Sequence, residues 1–509
     1  MHERYDKPEI NEIFGNESLL ASWWEVEKAV MRARVGLNLM PIEDFRTICR
    51  CLEENPASIA EWKDRDSKMH HDLNAFISER MRFIPENLQS WFHREMTSYD
   101  TEEAAFSEKI LHSLFFYEKA IMELMEIIKV QAFKYRYTPM MADTHGQWAD
   151  PQSFGKRLAG WYRELYEGLL GLRELKNKLR FSKLSGFVGN YTGITPEIEK
   201  AALQNLGFEP YYGATQIVPR TLFAPIASSI ATLSKSIFNI AMSIRLGARS
   251  ASTLFQEPFG KLQKGSSAGP QKRNPINCEK ACGMDILISG YAGMILRCCE
   301  TWEERDIAHS CVERVAWRDI FHASIHQAEV MAKVIKGLVV YPNRMVMEIA
   351  ATNGCYAANV AKEQLKEWGA SYGLTAENCY RIVQLAAFNL TQLQHDQCKS
   401  DSFAEADDLL FAAKLHKPDH EMTIQRVIRF GLLKHCHTLD TSEETIKDWN
   451  IKLSAIFDNE DVVSRWNEVF SLEYLLRNED VIFEKVFDET KPGSAKIENT
   501  EKGNRNYPH

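Results

Sequence analysis

Residues 265–275 of this 509-residue chain read Gly-Ser-Ser-Ala-Gly-Pro-Gln-Lys-Arg-Asn-Pro. Glycine and proline at both ends make the stretch a loop between helix-like segments. A loop bearing a hydroxyl, a cation and an amide suits proton abstraction beside a developing anion. Ser266 could take the proton, while Lys272 and Asn274 could hold the charge that forms. A surface loop without chemistry satisfies the same composition. His145, in Thr144-His145-Gly146, could give up a proton near neutral pH if a partner fixed its tautomer; a lone histidine is more often a hydrogen-bonded structural residue. His70-His71-Asp72 offers imidazoles beside a carboxylate, or merely a solvated surface. Thr97 and Ser98 carry hydroxyls whose ordinary use is to cap a helix. Arg305, Ser310 and Arg314, at spacings of five and four, could cradle a phosphate, because guanidinium groups donate parallel hydrogen bonds. Glu303, Glu304, Asp306 and Glu313 are interleaved, so charge pattern alone favours a salt-bridged helix surface there.

Helices must position these groups. Strand-like alternation is nearly absent, and apolar residues recur every three or four positions. Leu222, Ile226, Ile230, Leu233, Ile237, Ile240 and Ile244 form one sustained seam; Ile110, Leu114, Tyr117, Ile121, Leu124 and Ile128 form another. Helices this long must bury their stripes on other helices, which predicts a bundle completed by other subunits. The chain divides into shorter helices over 1–93, long helices over 94–338 with the loop 263–279, and shorter helices over 339–486. The polar, breaker-rich segment 487–509 is expected to be a disordered tail.

Bulk properties bound the function. With 61 basic and 70 acidic residues the net charge is −9, which gives no support for a nucleic-acid or membrane-surface binder. The N-terminus lacks the apolar core of a signal peptide, and no run of about 18 uninterrupted apolar residues marks a membrane span. Eleven scattered cysteines suit reduced thiols in the cytoplasm better than a disulfide framework. Cys278 with Cys282, and His435-Cys436-His437, lack a second ligand pair at zinc-site spacing, so no metal is expected.

The loop, with Glu279 after it, resembles the signature of the fumarase/aspartase superfamily of β-elimination lyases. Lys272-Arg273-Asn274-Pro275 followed by Glu279 is most similar to its adenylosuccinate lyase branch. The other blocks fall in family order at similar intervals, so the resemblance covers about residues 1–480. It implies an all-α fold of three helical domains, with the central bundle shared across a homotetramer and each active site assembled from three subunits. It implies a C–N lyase that takes adenylosuccinate to AMP and succinyl-carboxamide ribotide to the aminoimidazole carboxamide ribotide, releasing fumarate, with no cofactor. By this resemblance Ser266 is the base, Lys272 and Asn274 stabilise the anion, His145 is the general acid oriented by Glu279, and His71 is an active-site histidine. Asp72, Thr97, Ser98, Thr144, Gln216, Arg220 and Ser267 carry over as substrate contacts; Arg4, Tyr5, Arg305, Ser310 and Arg314 carry over as nucleotide contacts.

The chain departs from the family in four places. Tyr99 replaces the second serine of Thr-Ser-Ser-Asp, Glu95 stands where glycine is usual, Thr221 replaces the aspartate after Arg220, and Gly269 replaces a near-universal methionine. These changes leave a relative acting on another succinylated amine as the main rival reading. A catalytically silent scaffold is the second, argued against by intact Ser266, Lys272, Asn274, His145 and Glu279.

Overall fold

The computed structural model describes residues 1–398, 423–432 and 440–489. His435–His437 and residues 490–509 of the polar tail lie outside the described residues. As expected for an all-α chain, helices dominate; strands are confined to three two-stranded pairs among the described residues.

The chain folds into two compact units, each drawn from separated segments: Met1–Ile127, Trp161–Leu246 and Glu257–Gly337 form the first, and Ile128–Gly160, Gly247–Gln256 and Leu338–His509 the second. In the first unit, α1 (Pro8–Ile13), α2 (Asn16–Gly36), α3 (Ile42–Glu54), α4 (Ile59–Met69) and α5 (Asp72–Met81) precede α6 (Ser98–Lys134), a 37-residue helix that runs on into the second unit. α7 (Phe154–Lys176), α8 (Pro196–Leu206), α9 (Ala224–Gly247), α10 (Ile276–Arg297) and α11 (Ala308–Lys336) follow. Ile226, Ile230, Leu233, Ile237, Ile240 and Ile244 of the α9 seam are each at most 1% exposed, and Ile110 to Ile128 of the α6 seam are all 0% exposed. Those stripes therefore set the packing, and α10 lies along α11. The segment Arg220–Gly247 is long and apolar enough to cross a membrane, but half of it is buried within the chain; the buried seam accounts for that composition.

Local signals start and stop the helices. The Thr195 hydroxyl accepts from the Ile198 N–H, Pro196 opens α8 and Gly207 closes it at φ 78°. His71 caps α5 with its ring: Nδ1 accepts from the Asn74 N–H at 3.3 Å. Asp100 reaches back from the first turn of α6 to the Thr97 N–H at 2.8 Å. Thr97 and Ser98 thus begin the helix, but the capping carboxylate is Asp100.

In the second unit a hairpin departs from the helical reading. β1 (Pro139–Thr144) pairs antiparallel with β2 (Gln147–Ser153), and Thr144 faces Gln147 across a two-residue turn. That turn is His145-Gly146, with φ 54° and 73°, the two positive angles a tight hairpin requires. The hairpin is anchored by Glu479, whose carboxylate accepts from the Ser153 N–H at 3.0 Å and hydroxyl at 2.9 Å. The hairpin adds to the helical reading without changing the fold class: strands of six and seven residues, the second containing Pro151, give little alternation to read.

Candidate active site

The first unit gathers many of the flagged residues where the starts of α5, α6 and α11 meet. His71 Nδ1 is occupied as an acceptor by the α5 backbone, so its proton sits on Nε2. Nε2–H points at the Ser98 hydroxyl, 3.3 Å away. Asp72 Oδ2 accepts from Arg314 at 2.6 Å. Arg305 donates to Gln216 Oε1 at 3.0 Å and lies over the Tyr99 ring, its guanidinium carbon 3.7 Å from the centroid. Ser310 is buried on α11, its hydroxyl donating to the Ile307 carbonyl at 3.0 Å.

The three arginines differ in their commitments. Arg220 is 3% exposed, grips both Glu103 oxygens at 2.6 and 3.1 Å and stands 3.2 Å from Glu313. Arg314 is paired with Asp72. Arg305 has no ion pair among the described residues, and its buried Nε has no acceptor. Anion binding at Arg220 would dismantle a buried ion cluster at the cost of several kcal/mol; at Arg305 the donors are available.

A cavity of about 330 Å³ opens beside this cluster, lined among others by Asp72, Tyr99, Glu102, Lys109, Ser310 and Arg314. Burial, with Asp72 adding repulsion, pushes the Glu102 carboxyl up to about 7. Burial lowers the Lys109 ammonium to about 8. His309 is pushed down to about 4 by burial and then by Arg220 and Arg305, so it is neutral near pH 7. Its Nε2 lies 3.3 Å from the Tyr99 hydroxyl, itself held protonated by burial. Sequence reasoning missed Glu102, Lys109 and His309. Glu102, one turn after Ser98 on the same helix face, had a readable signal in its spacing; the His309 contact with Tyr99 spans 210 positions and had none.

The remaining residues lie elsewhere. Ser266, Ser267, Lys272 and Asn274 belong to a loop closed on itself: Ser266 N–H donates to the Lys272 carbonyl at 3.4 Å and Lys272 N–H to that of Gly269 at 2.9 Å. A side chain at Gly265 would meet the Pro270 carbonyl oxygen at 2.5 Å, so this closure demands glycine. Gly269 is under no such demand, since the nearest atom to an added Cβ is 3.6 Å away. Glu279 lies exposed on the first turn of α10. No hydrogen bond or ion pair joins this loop or Glu279 to the cluster among the described residues. Arg4 and Tyr5 lie in the turn before α1, closed by the Tyr5 N–H donating to the His2 carbonyl at 2.9 Å; Tyr5 rests edge-on against His326 of α11, and nearby Lys7 is tied to Glu329 at 2.6 Å. Thr144 and His145 occupy the exposed hairpin tip of the second unit.

The chain's relatives are consistent with these motifs. Residues 3–290 match a family described as Lyase. An adenylosuccinate lyase of Synechocystis sp. is 33% identical over 387 residues, covering 76% of this chain and 88% of that protein. One from Bacillus subtilis is 32% identical over 399 residues, covering 77% and 90%. Among solved structures, a fumarate lyase from Mesorhizobium sp. has a TM-score of 0.75 at 17% identity over 96% of this chain and 99% of its own, a likeness of fold. From its sequence, and with the fold in agreement, the chain belongs to the lyase family of the fumarase/aspartase superfamily.

Proposed function

We propose that this chain cleaves adenylosuccinate to AMP and fumarate, and succinyl-carboxamide ribotide to the aminoimidazole carboxamide ribotide and fumarate, in purine nucleotide synthesis. The relatives' activity supports the reaction. The observation from the site that carries the substrate is Arg305, a guanidinium free of carboxylate partners among the described residues, beside the Ser98–His71 and Asp72–Arg314 pairs. A nucleotide phosphate suits those free donors.

In this reading Arg305, Ser310, Arg314, Arg4 and Tyr5 take the phosphate end. Thr97, Ser98, Thr144, Gln216 and Ser267 take the succinyl and linking groups, with His71 and Asp72 beside them and Arg220 bracing the wall. Ser266 removes the proton from the carbon next to a succinyl carboxylate. The electron pair spreads into that carboxylate as an aci-anion, which Lys272, Asn274 and loop amides stabilise. The C–N bond then breaks, fumarate forms, and His145, oriented by Glu279, protonates the departing nitrogen. A serine is a poor base until cationic and amide contacts lower its pKa, so the loop closes over the substrate before chemistry. The residues supply base, acid and anion stabilisation, so the scheme uses no cofactor. The working form is a cytoplasmic homotetramer with each site shared among three subunits and the chain divided at 93/94 and 338/339.

Fumarate release followed by proton NMR, with each substrate supplied separately, is the test. Fumarate from both is expected, and Ser266→Ala should lower turnover at least about 10³-fold while AMP binding persists. Fumarate from neither substrate, with the protein folded, would move the assignment to another succinylated amine. Near-normal turnover in the serine variant would remove Ser266 from its role.

A further inference from the structure

We propose that Tyr99 is a positioning residue for nucleotide phosphate, its ring presenting the Arg305 guanidinium flat and unneutralised to the anion. This rests on the nucleotide reading above. Tyr99 is 5% exposed on the first turn of α6, fixed from below by the Asp100 cap and the buried Asp100–Lys183 ion pair at 2.7 Å. Its ring centroid lies 3.7 Å from the Arg305 guanidinium carbon, which sits over the ring within cation–π contact. Gln216 holds one edge of the same guanidinium through Nη1. A neutral amide and a neutral ring therefore place a cation that a carboxylate would otherwise have claimed, as Asp72 claims Arg314 and Glu103 claims Arg220.

The distinction matters for recognition. A carboxylate partner occupies guanidinium donors and cancels the charge, so phosphate must displace it. A ring face attracts the cation through its quadrupole and takes none of the in-plane N–H groups. The orientation is fixed while, among the described residues, Gln216 is the one acceptor for this guanidinium, so its other donors, the buried Nε among them, have no protein partner. The hydroxyl completes the mount: it meets His309 Nε2 at 3.3 Å, which ties the ring to the first turn of α11, next to Ser310. A serine at position 99 has neither ring nor reach. The substitution that departs from Thr-Ser-Ser-Asp thus acts on the phosphate end of the substrate.

The test compares Tyr99→Phe, Tyr99→Leu and Tyr99→Ser. Binding of AMP and of adenosine is measured by calorimetry, and kcat and KM are measured with adenylosuccinate and its 5′-dephosphorylated form. Tyr99→Leu and Tyr99→Ser should weaken AMP and raise the adenylosuccinate KM by about tenfold, the scale of a desolvated cation–π contact, with adenosine and the dephosphorylated substrate unmoved. Tyr99→Phe, which keeps the ring, should restore AMP affinity to within about threefold of the parent. Should the serine variant fail to fold, the volume-filling leucine variant carries the comparison. Unchanged AMP affinity in the leucine variant, or an equal loss for adenosine, overturns the proposal while leaving the nucleotide reading standing. An unmodified enzyme that binds AMP no better than adenosine overturns both.

Discussion

Glu95 sits at φ 61°, a left-handed angle that favours glycine and costs other residues about 1 kcal/mol. Its carboxylate is held by Arg34 at 2.8 Å, and the same guanidinium donates to the Arg94 carbonyl at 3.0 Å. The strained turn is therefore pinned by an ion pair and delivers Thr97 and Ser98 to the start of α6. The departure from glycine has a local account and leaves the serine in place. Glu102 poses the opposite problem, a carboxylate pushed up to about 7 from 4.5 by burial and by Asp72. Its folded pKa lies above its unfolded one, so between about pH 4.5 and 7 the native state binds more protons, and stability falls as pH rises through that window. Glu102→Gln should therefore melt about 2–5 °C higher than the parent at pH 8 and level with it near pH 4.5. Thermal melts at both pH values decide this: an offset independent of pH would mean that Glu102 is not held charged against its burial.

At the scale of elements, the loop bearing Thr215 and Gln216 is supported by a close backbone approach. Gly189, at φ 77°, lies where an added Cβ would come within 1.9 Å of the Ala214 carbonyl oxygen. Gly189→Ala should displace that loop, lower the melting temperature by about 5 °C or more and weaken the Gln216–Arg305 contact. A melt unchanged from the parent would show that the loop yields freely. Such supports explain what was readable in the sequence. The α6 and α9 seams were legible because burial of one helical stripe is a local pattern. His71, Asp72, Ser98, Gln216, Arg305 and Arg314 were legible because their order matches a family, and the fold brings them together. The His145 hairpin was not, because its two-residue turn was read as part of a motif and its strands are short. Tyr99 was legible only as a departure; its contacts with Arg305 and His309 require helices far apart in sequence to meet.

At the scale of the whole molecule, α10 argues for partners. One face buries Cys278, Ala281, Cys282, Ile288, Ala292 and Ile295. The other leaves Ile286 72% and Met294 50% exposed, with Leu287 between them and Leu296 beyond. A helix apolar on both faces is stable in water when both are covered. A second copy of this long-helix bundle supplies matching chemistry, because Phe115 and Met122 on α6 are exposed too. On the homotetramer proposed above, light scattering should give four times the 58.5 kDa chain mass, and Ile286→Glu with Met294→Glu should reduce it. Site sharing makes a sharper prediction. If Ser266 and His145 of one site come from different chains, inactive Ser266→Ala and inactive His145→Ala proteins should complement each other. Random mixing at equal amounts leaves roughly a quarter of sites with both residues intact, so about that fraction of parent turnover should return after co-refolding. Sites built within one chain would recover nothing, and a monomeric parent would end the argument for sharing altogether.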